Sequence, residues 1–198
     1  MMSIMVAFWL FVALFTIIGA LRGWAKELLV IFSVILALFI IYILTEYLGF
    51  VKPFGMDPLT ADMVSIQGGS VFTTLAPETQ EFLKTQFWIR AVLVLVLAFF
   101  GYQTPALASF LNKKSRSDQV QDMLFGGILG AINGYMILGT LWSYMHSAYY
   151  LFESILPPEA EDVAWDLVQY FPPEVIGSDV GLFLAIGISF LFVLVVFI

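Results

Sequence analysis

Residues 28–47 read LLVIFSVILALFIIYILTEY, twenty positions with no charge before Glu46. A helix needs about 20 apolar residues to cross the hydrocarbon core of a bilayer, and only a helix or a closed barrel satisfies its own backbone there. This run therefore reads as a membrane-crossing helix, and four others flank it: residues 3–20, 87–111 with Pro105 inside, 123–144 and 180–198. No Lys or Arg precedes the first run and the second follows after seven residues, so residues 3–20 read as a retained span and not a cleaved leader. The expected fold class is an all-α, polytopic bundle of five transmembrane helices.

Composition agrees. Of the 198 residues 61% are hydrophobic and 12% charged, whereas soluble domains are about a quarter charged. A net charge of −7, with no basic cluster longer than residues 113–116, argues against nucleic acid as a partner. Without cysteine there is no thiolate or disulfide chemistry, and one histidine does not make a protein-only metal site. The expected partners are membrane lipids and other membrane proteins.

Short loops rich in Lys and Arg stay cytoplasmic. Arg22, Lys26, Lys113, Lys114 and Arg116 fall on one side of the five spans and Lys52, Lys84 and Arg90 on the other, which places the amino terminus outside and the carboxyl terminus inside. On that topology the inner segments carry +2 and the first outer region −2. The whole −7 thus belongs to Glu153, Glu159, Glu161, Asp162, Asp166, Glu174 and Asp179 in the second outer loop, which has no cation.

Both outer loops show local patterns. Residues 63–67 and 70–74 alternate apolar and polar positions around Gly68-Gly69, the chemistry of a two-residue turn, and predict a small outer β-hairpin within the loop 49–86. In the acidic loop, Pro157-Pro158 precedes a predicted amphipathic helix. Its first turn holds Glu159, Glu161 and Asp162, its apolar face is Val163, Leu167, Tyr170 and Phe171, and Pro172-Pro173 stops it. Glu159, Glu161, Asp162, Trp165 and Asp166 then form an acidic surface for docking a partner, with a simply solvated face as the alternative.

No span carries an ionisable residue near its middle, which disfavours a translocation pathway made by this chain alone. No serine–histidine or carboxylate pair has usable spacing for hydrolysis, and the chain reads as non-enzymatic. The spans offer packing instead: Gly126, Gly130 and Gly134 repeat every four residues in the fourth, and Gly177, Gly181 and Ala185 do so at the fifth. Small residues at that spacing let helix backbones approach closely in lipid, within the chain for the fourth span and within it or against a partner for the fifth. His146, among Trp142, Tyr144, Tyr149 and Tyr150, reads as part of an interfacial aromatic belt. Ligation of a haem or chlorophyll metal, or contact with a quinone, is its alternative role; no cofactor is expected.

The inner turn Arg22-Gly23-Trp24-Ala25-Lys26-Glu27 between two apolar spans resembles the first signature of the colicin V production protein (CvpA-like) family. Asp122 followed by Gly126, Gly130 and Gly134 resembles its second. The family pattern has basic residues where this chain has Met123 and Asn133. The resemblance covers residues 1–147, a four-helix membrane domain, with the acidic outer loop 148–179 and the fifth helix 180–198 as extensions. It implies a bacterial inner-membrane protein linked to bacteriocin (toxin) production or export and envelope maintenance. From the residues themselves, Glu27 and Asp122 are expected to face Arg22 or Lys26 in an inner cluster that ties the first pair of spans to the second. Two other functions stay open: an accessory subunit of an energy-converting photosynthetic or respiratory membrane complex, and an oligomeric channel or transporter.

Overall fold

A computed structural model describes residues 4–55, 57–67, 71–103, 116–152, 154–159, 161–177 and 179–197. In chain order the helices are α1 (Ile4–Arg22), α2 (Trp24–Glu46), α3 (Ala61–Gln67), α4 (Val71–Thr74), α5 (Pro77–Gln103), α6 (Arg116–Ser147), α7 (Val163–Leu167), a 3-10 turn (Val168–Tyr170), α8 (Pro172–Ile176) and α9 (Asp179–Phe197). Helices α1, α2, α5 and α6 are long and apolar enough to span a bilayer. A fifth span is reached if the stretch Val163–Ile176 and Val180–Leu191, bent by 70°, counts as one. Large apolar side chains such as Leu10, Ile17, Phe99, Leu124 and Ile188 face outward. An apolar exterior on this scale is unfavourable in water and ordinary in lipid, so the chain is a multi-pass membrane protein.

Helix α1 lies along α6, α2 packs on α5 and α6, and α9 packs on α2. The α1–α6 seam is glycine against glycine. A Cβ on Gly19 would collide with the Gly126 carbonyl oxygen, and one on Gly130 with the Phe15 carbonyl oxygen. Backbones in such contact gain dispersion energy that lipid cannot match, which is how small residues drive helix association in membranes. Between α1 and α2, Gly23 adopts φ 85°. A side chain there would be strained by the backbone and would also meet the Asp122 carboxylate at 2.5 Å.

The predicted β-hairpin is not present. Residues 63–67 belong to α3, residues 71–74 form α4, and no strand occurs among the described residues; Gly68, Gly69 and Ser70 lie outside them. Val71 and Phe72 are both buried, whereas consecutive strand residues would point to opposite faces. Thr60 starts α3 instead, its carbonyl accepting from the Val64 N–H at 3.2 Å. A lone hairpin has no third strand to lean on, and short helices satisfy these backbone groups locally.

The predicted amphipathic helix is shorter and rotated. Glu159 and Glu161 precede it, exposed, and Asp162 is the N-cap of α7, accepting from the Ala164 N–H at 3.2 Å. The buried face is Ala164, Val168 and Phe171, while Val163 and Tyr170 are exposed. Pro172-Pro173 both ends and begins helix: the helical stretch Val163–Tyr170 stops at the extended Phe171 before it, and Pro172 then opens α8, because proline disfavours helix at the preceding residue and is preset in φ for the first helical position. Phe171 decides the rotation: it is fully buried between Trp142, Phe8 and Tyr135, at ring distances of 5.2, 5.5 and 5.8 Å. Gly139 opens the space, since a Cβ there would meet the Phe171 ring at 2.6 Å.

Candidate functional site

The residues of the α1–α2 turn converge where four helices meet. Arg22 ends α1 and Glu27 lies in the first turn of α2, where the helix dipole favours a carboxylate. Their side chains pair at 2.5 Å, and the Glu27 side chain is fully buried. Asn133 of α6 reaches the same residue: its Nδ2 donates to Glu27 Oε2 at 2.8 Å and to the Glu27 carbonyl at 2.9 Å. Tyr102, near the end of α5, donates its hydroxyl to Glu27 Oε2 at 3.4 Å and accepts Arg22 Nη2 on its carbonyl at 2.8 Å. The Arg22 guanidinium also lies 4.4 Å from the centre of the Tyr102 ring, within cation–π range.

One buried carboxylate is thus held by groups from α1, α5 and α6. Such a group is tolerable only when paired and hydrogen-bonded, and both Glu27 oxygens are engaged. Asn133 Oδ1 has no partner among the described residues, so the amide is oriented by its two donated bonds to Glu27.

Of the expected inner cluster, Arg22 and Glu27 come together directly and the Asp122 carboxylate packs on Gly23 beside them, while Asn133, which the expectation did not include, joins through Glu27. Lys26 is half-buried and has no carboxylate within 4.0 Å among the described residues. Gly126 and Gly130 contact α1 backbone, and a Cβ on Gly134 would meet the Phe15 side chain at 2.8 Å. The fourth-span glycines are therefore spent on packing within the chain. On α9, Gly181 and Ala185 are half-buried, Ala185 against the Val30, Val34 and Ile35 core, while Gly177 sits in the turn after α8. Tyr102 was not singled out from sequence; as one more aromatic in a span of many, it carries no signal until α5 is laid beside α2.

At the other end of the bundle the acidic segment meets the end of α6. Trp165 stands edge-on to His146 at 5.2 Å, and His146 Nδ1 lies 3.4 Å from the Tyr150 hydroxyl. Tyr149 and Tyr150 both take positive φ, 57° and 53°, a conformation that costs energy for residues with side chains. The turn is held by the Tyr150 N–H donating to the Met145 carbonyl at 2.9 Å, by Trp142 Nε1 donating to the Tyr150 hydroxyl at 2.9 Å, and by the Tyr149 hydroxyl donating to the Asp57 carbonyl. Burial raises the Tyr150 hydroxyl above the ordinary tyrosine range, and burial together with Asp57 raises Tyr149. A cavity of about 500 Å³ opens here, lined by Phe54, Asp57, His146, Trp165, Asp166 and Glu174. No group of His and carboxylate side chains among the described residues is placed to hold a metal ion.

Compared with known protein families, curated proteins and solved structures, the chain matches none.

Proposed function

We propose that this chain is a non-enzymatic, CvpA-like component of a bacterial inner membrane that acts by binding other proteins in envelope maintenance or toxin export. The observation that carries this reading is the separation of its charges. The Arg22–Glu27 pair is saturated inside the bundle by Asn133 and Tyr102, while Glu159, Glu161, Asp162, Asp166 and Glu174 stand exposed on a segment pinned by Phe171. A locked ion pair supports a framework and not a conduction path, and a rigid acidic face suits a basic partner. The Arg22 end faces the cytoplasm in this reading and the acidic segment faces outward. The CvpA-like pattern has a cation at the position of Asn133. That position meets Glu27 here through the neutral amide of Asn133, and Arg22, which belongs to the first signature, supplies the charge.

The test is co-purification in mild detergent with mass spectrometry, comparing the native chain with a Glu159→Lys, Glu161→Lys, Asp166→Lys variant. The native chain is expected to bring stable membrane or envelope partners that the variant loses, with both colourless. Identical partner sets would remove the acidic face from the reading. A pigmented complex would replace it with an accessory subunit of an energy-converting assembly.

A further inference from the structure

Arg90, in α5 at the end of the bundle opposite Arg22, is 5% exposed. Its Nη1 donates to the Gln86 carbonyl at 3.2 Å and to Gln86 Oε1 at 3.1 Å, and its Nη2 donates to the Lys52 carbonyl at 2.7 Å. Gln86 Oε1 also accepts the Lys52 N–H at 3.0 Å, and the Phe54 ring covers the guanidinium at 4.5 Å. These neighbours fix the side chain, yet all of them are neutral. Among the described residues no carboxylate lies within 4.0 Å of Arg90. A buried cation without a counter-charge is expensive. The apolar run 87–111 puts Arg90 at the edge of its span, but α5 runs Pro77–Gln103 and places it near the middle of that helix, where an arginine is by default a functional group.

The guanidinium lines a cavity of about 180 Å³ together with Tyr144, Tyr42, Leu38, Leu182 and Glu46. Tyr144 is 7% exposed and its hydroxyl makes no hydrogen bond among the described residues. Two buried donors thus share a small space whose inner wall is apolar. Glu46, at the end of α2, is exposed at the rim and does not reach Arg90; a second carboxylate, Glu174 of α8, accepts from Ser143 Oγ at 3.3 Å and acts on the Tyr144 hydroxyl. An anion alone would be drawn to Arg90 and repelled by Glu46. A group with both charges meets both.

We infer that this cavity binds a zwitterion whose oxyanion, a phosphate or carboxylate, is held by Arg90 and Tyr144 and whose ammonium lies at Glu46. The volume is below the roughly 300–1,000 Å³ of pockets that enclose drug-sized ligands, so it takes a headgroup or a small amino acid. An aminophospholipid and a free amino acid share this chemistry.

The purified full chain, stripped of lipid in detergent, would be titrated with phosphatidylethanolamine and phosphatidylglycerol of matched acyl chains, followed by native mass spectrometry. Soluble phosphoethanolamine and glycine would serve as competitors. The expected result is one phosphatidylethanolamine per chain, preferred over phosphatidylglycerol, with affinity reduced by about tenfold or more in Arg90→Gln through loss of charge-assisted hydrogen bonds. Glu46→Gln should erase the preference between the two lipids. Displacement by glycine would assign the site to a free amino acid, and lipid retained against both competitors would assign it to the membrane; either supports the zwitterion site. Equal affinity in native and Arg90→Gln chains would overturn it, as would a native preference for phosphatidylglycerol. If Arg90→Gln does not fold, Tyr144→Phe removes a single hydroxyl: weaker binding supports the site and unchanged binding refutes it.

Discussion

Arg22 and Arg90 are the two arginines that hold the ends of this bundle, and they are neutralised in opposite ways. Arg22 meets a carboxylate five residues away in sequence, and Asn133 and Tyr102 complete the shell around that carboxylate. Arg90 meets carbonyl oxygens, two aromatic rings and a cavity. The first arrangement is closed, because every member belongs to the chain. The second is open: among the described residues no carboxylate lies within 4.0 Å of Arg90. The two ends also pack differently: glycines of α6 touch α1 backbone near Arg22, whereas Gly139 faces a side-chain ring, that of Phe171, at the other end.

The largest expected effect tests the closed end. Arg22→Met should destabilise the protein by about 3–5 kcal/mol, because Glu27 remains as a buried, uncompensated charge. Pairing it with Glu27→Leu should restore most of that loss, as read by reversible unfolding in detergent. A double variant no better than the single one would mean that the ion pair is not what holds this end.

Glycine substitutions come next. Gly130→Ala should cost about 2–3 kcal/mol, since the Phe15 carbonyl cannot move aside without shifting α1, while Gly139→Ala should cost less, about 1–2 kcal/mol, because the Phe171 ring has to shift within its packed cluster but no backbone does. Equal losses would erase the packing contrast between the ends. Arg90→Met should then lose only about 1–2 kcal/mol, the scale of the hydrogen bonds it forfeits, because no carboxylate is stranded. A loss as large as that of Arg22→Met would show that the Arg90 end is closed as well. The smallest effect concerns the acidic segment: Asp162→Ala removes the cap of α7 and should cost about 1 kcal/mol, detected as faster amide exchange at Ala164 with the exchange of α1 and α2 unchanged.

Much of this fold was legible without coordinates. The apolar runs 3–20, 28–47 and 123–144 fall on α1, α2 and α6, which reach up to seven residues beyond them, and the run 87–111 falls on α5, which begins earlier, at Pro77, with residues 104–111 outside the described ones; an apolar stretch of about twenty residues has few other conformations open to it in lipid. The α1–α2 turn was legible too: Arg22, Gly23 and Glu27 are so close in sequence that almost any helical turn brings the charges into reach. The loops 49–86 and 148–179 were not. Alternation over five residues suits a strand and one turn of helix alike, and residues 63–67 and 71–74 became helical where a strand had no neighbour. Pro172-Pro173 was equally ambiguous, since proline ends one helix and begins another with the same chemistry. Tyr102 and Arg90 were invisible as site residues for a different reason: their partners are 75 residues away at Glu27 and 38 away at Lys52.

The sequence by itself determined which segments are apolar enough to cross a membrane, where the charges fall, and that glycines recur every four residues on α6, all properties of local order. Tertiary structure decided which helix those glycines meet, that Asn133 reaches Glu27, that Phe171 turns the acidic segment, and that Arg90 is left facing a cavity. Those outcomes depend on the relative position of helices joined by long connections, and a hydrogen bond or ring contact changes by its whole value over an ångström or two. Hydrophobic patterning sets the number of helices; only their docking says which polar groups end up satisfied.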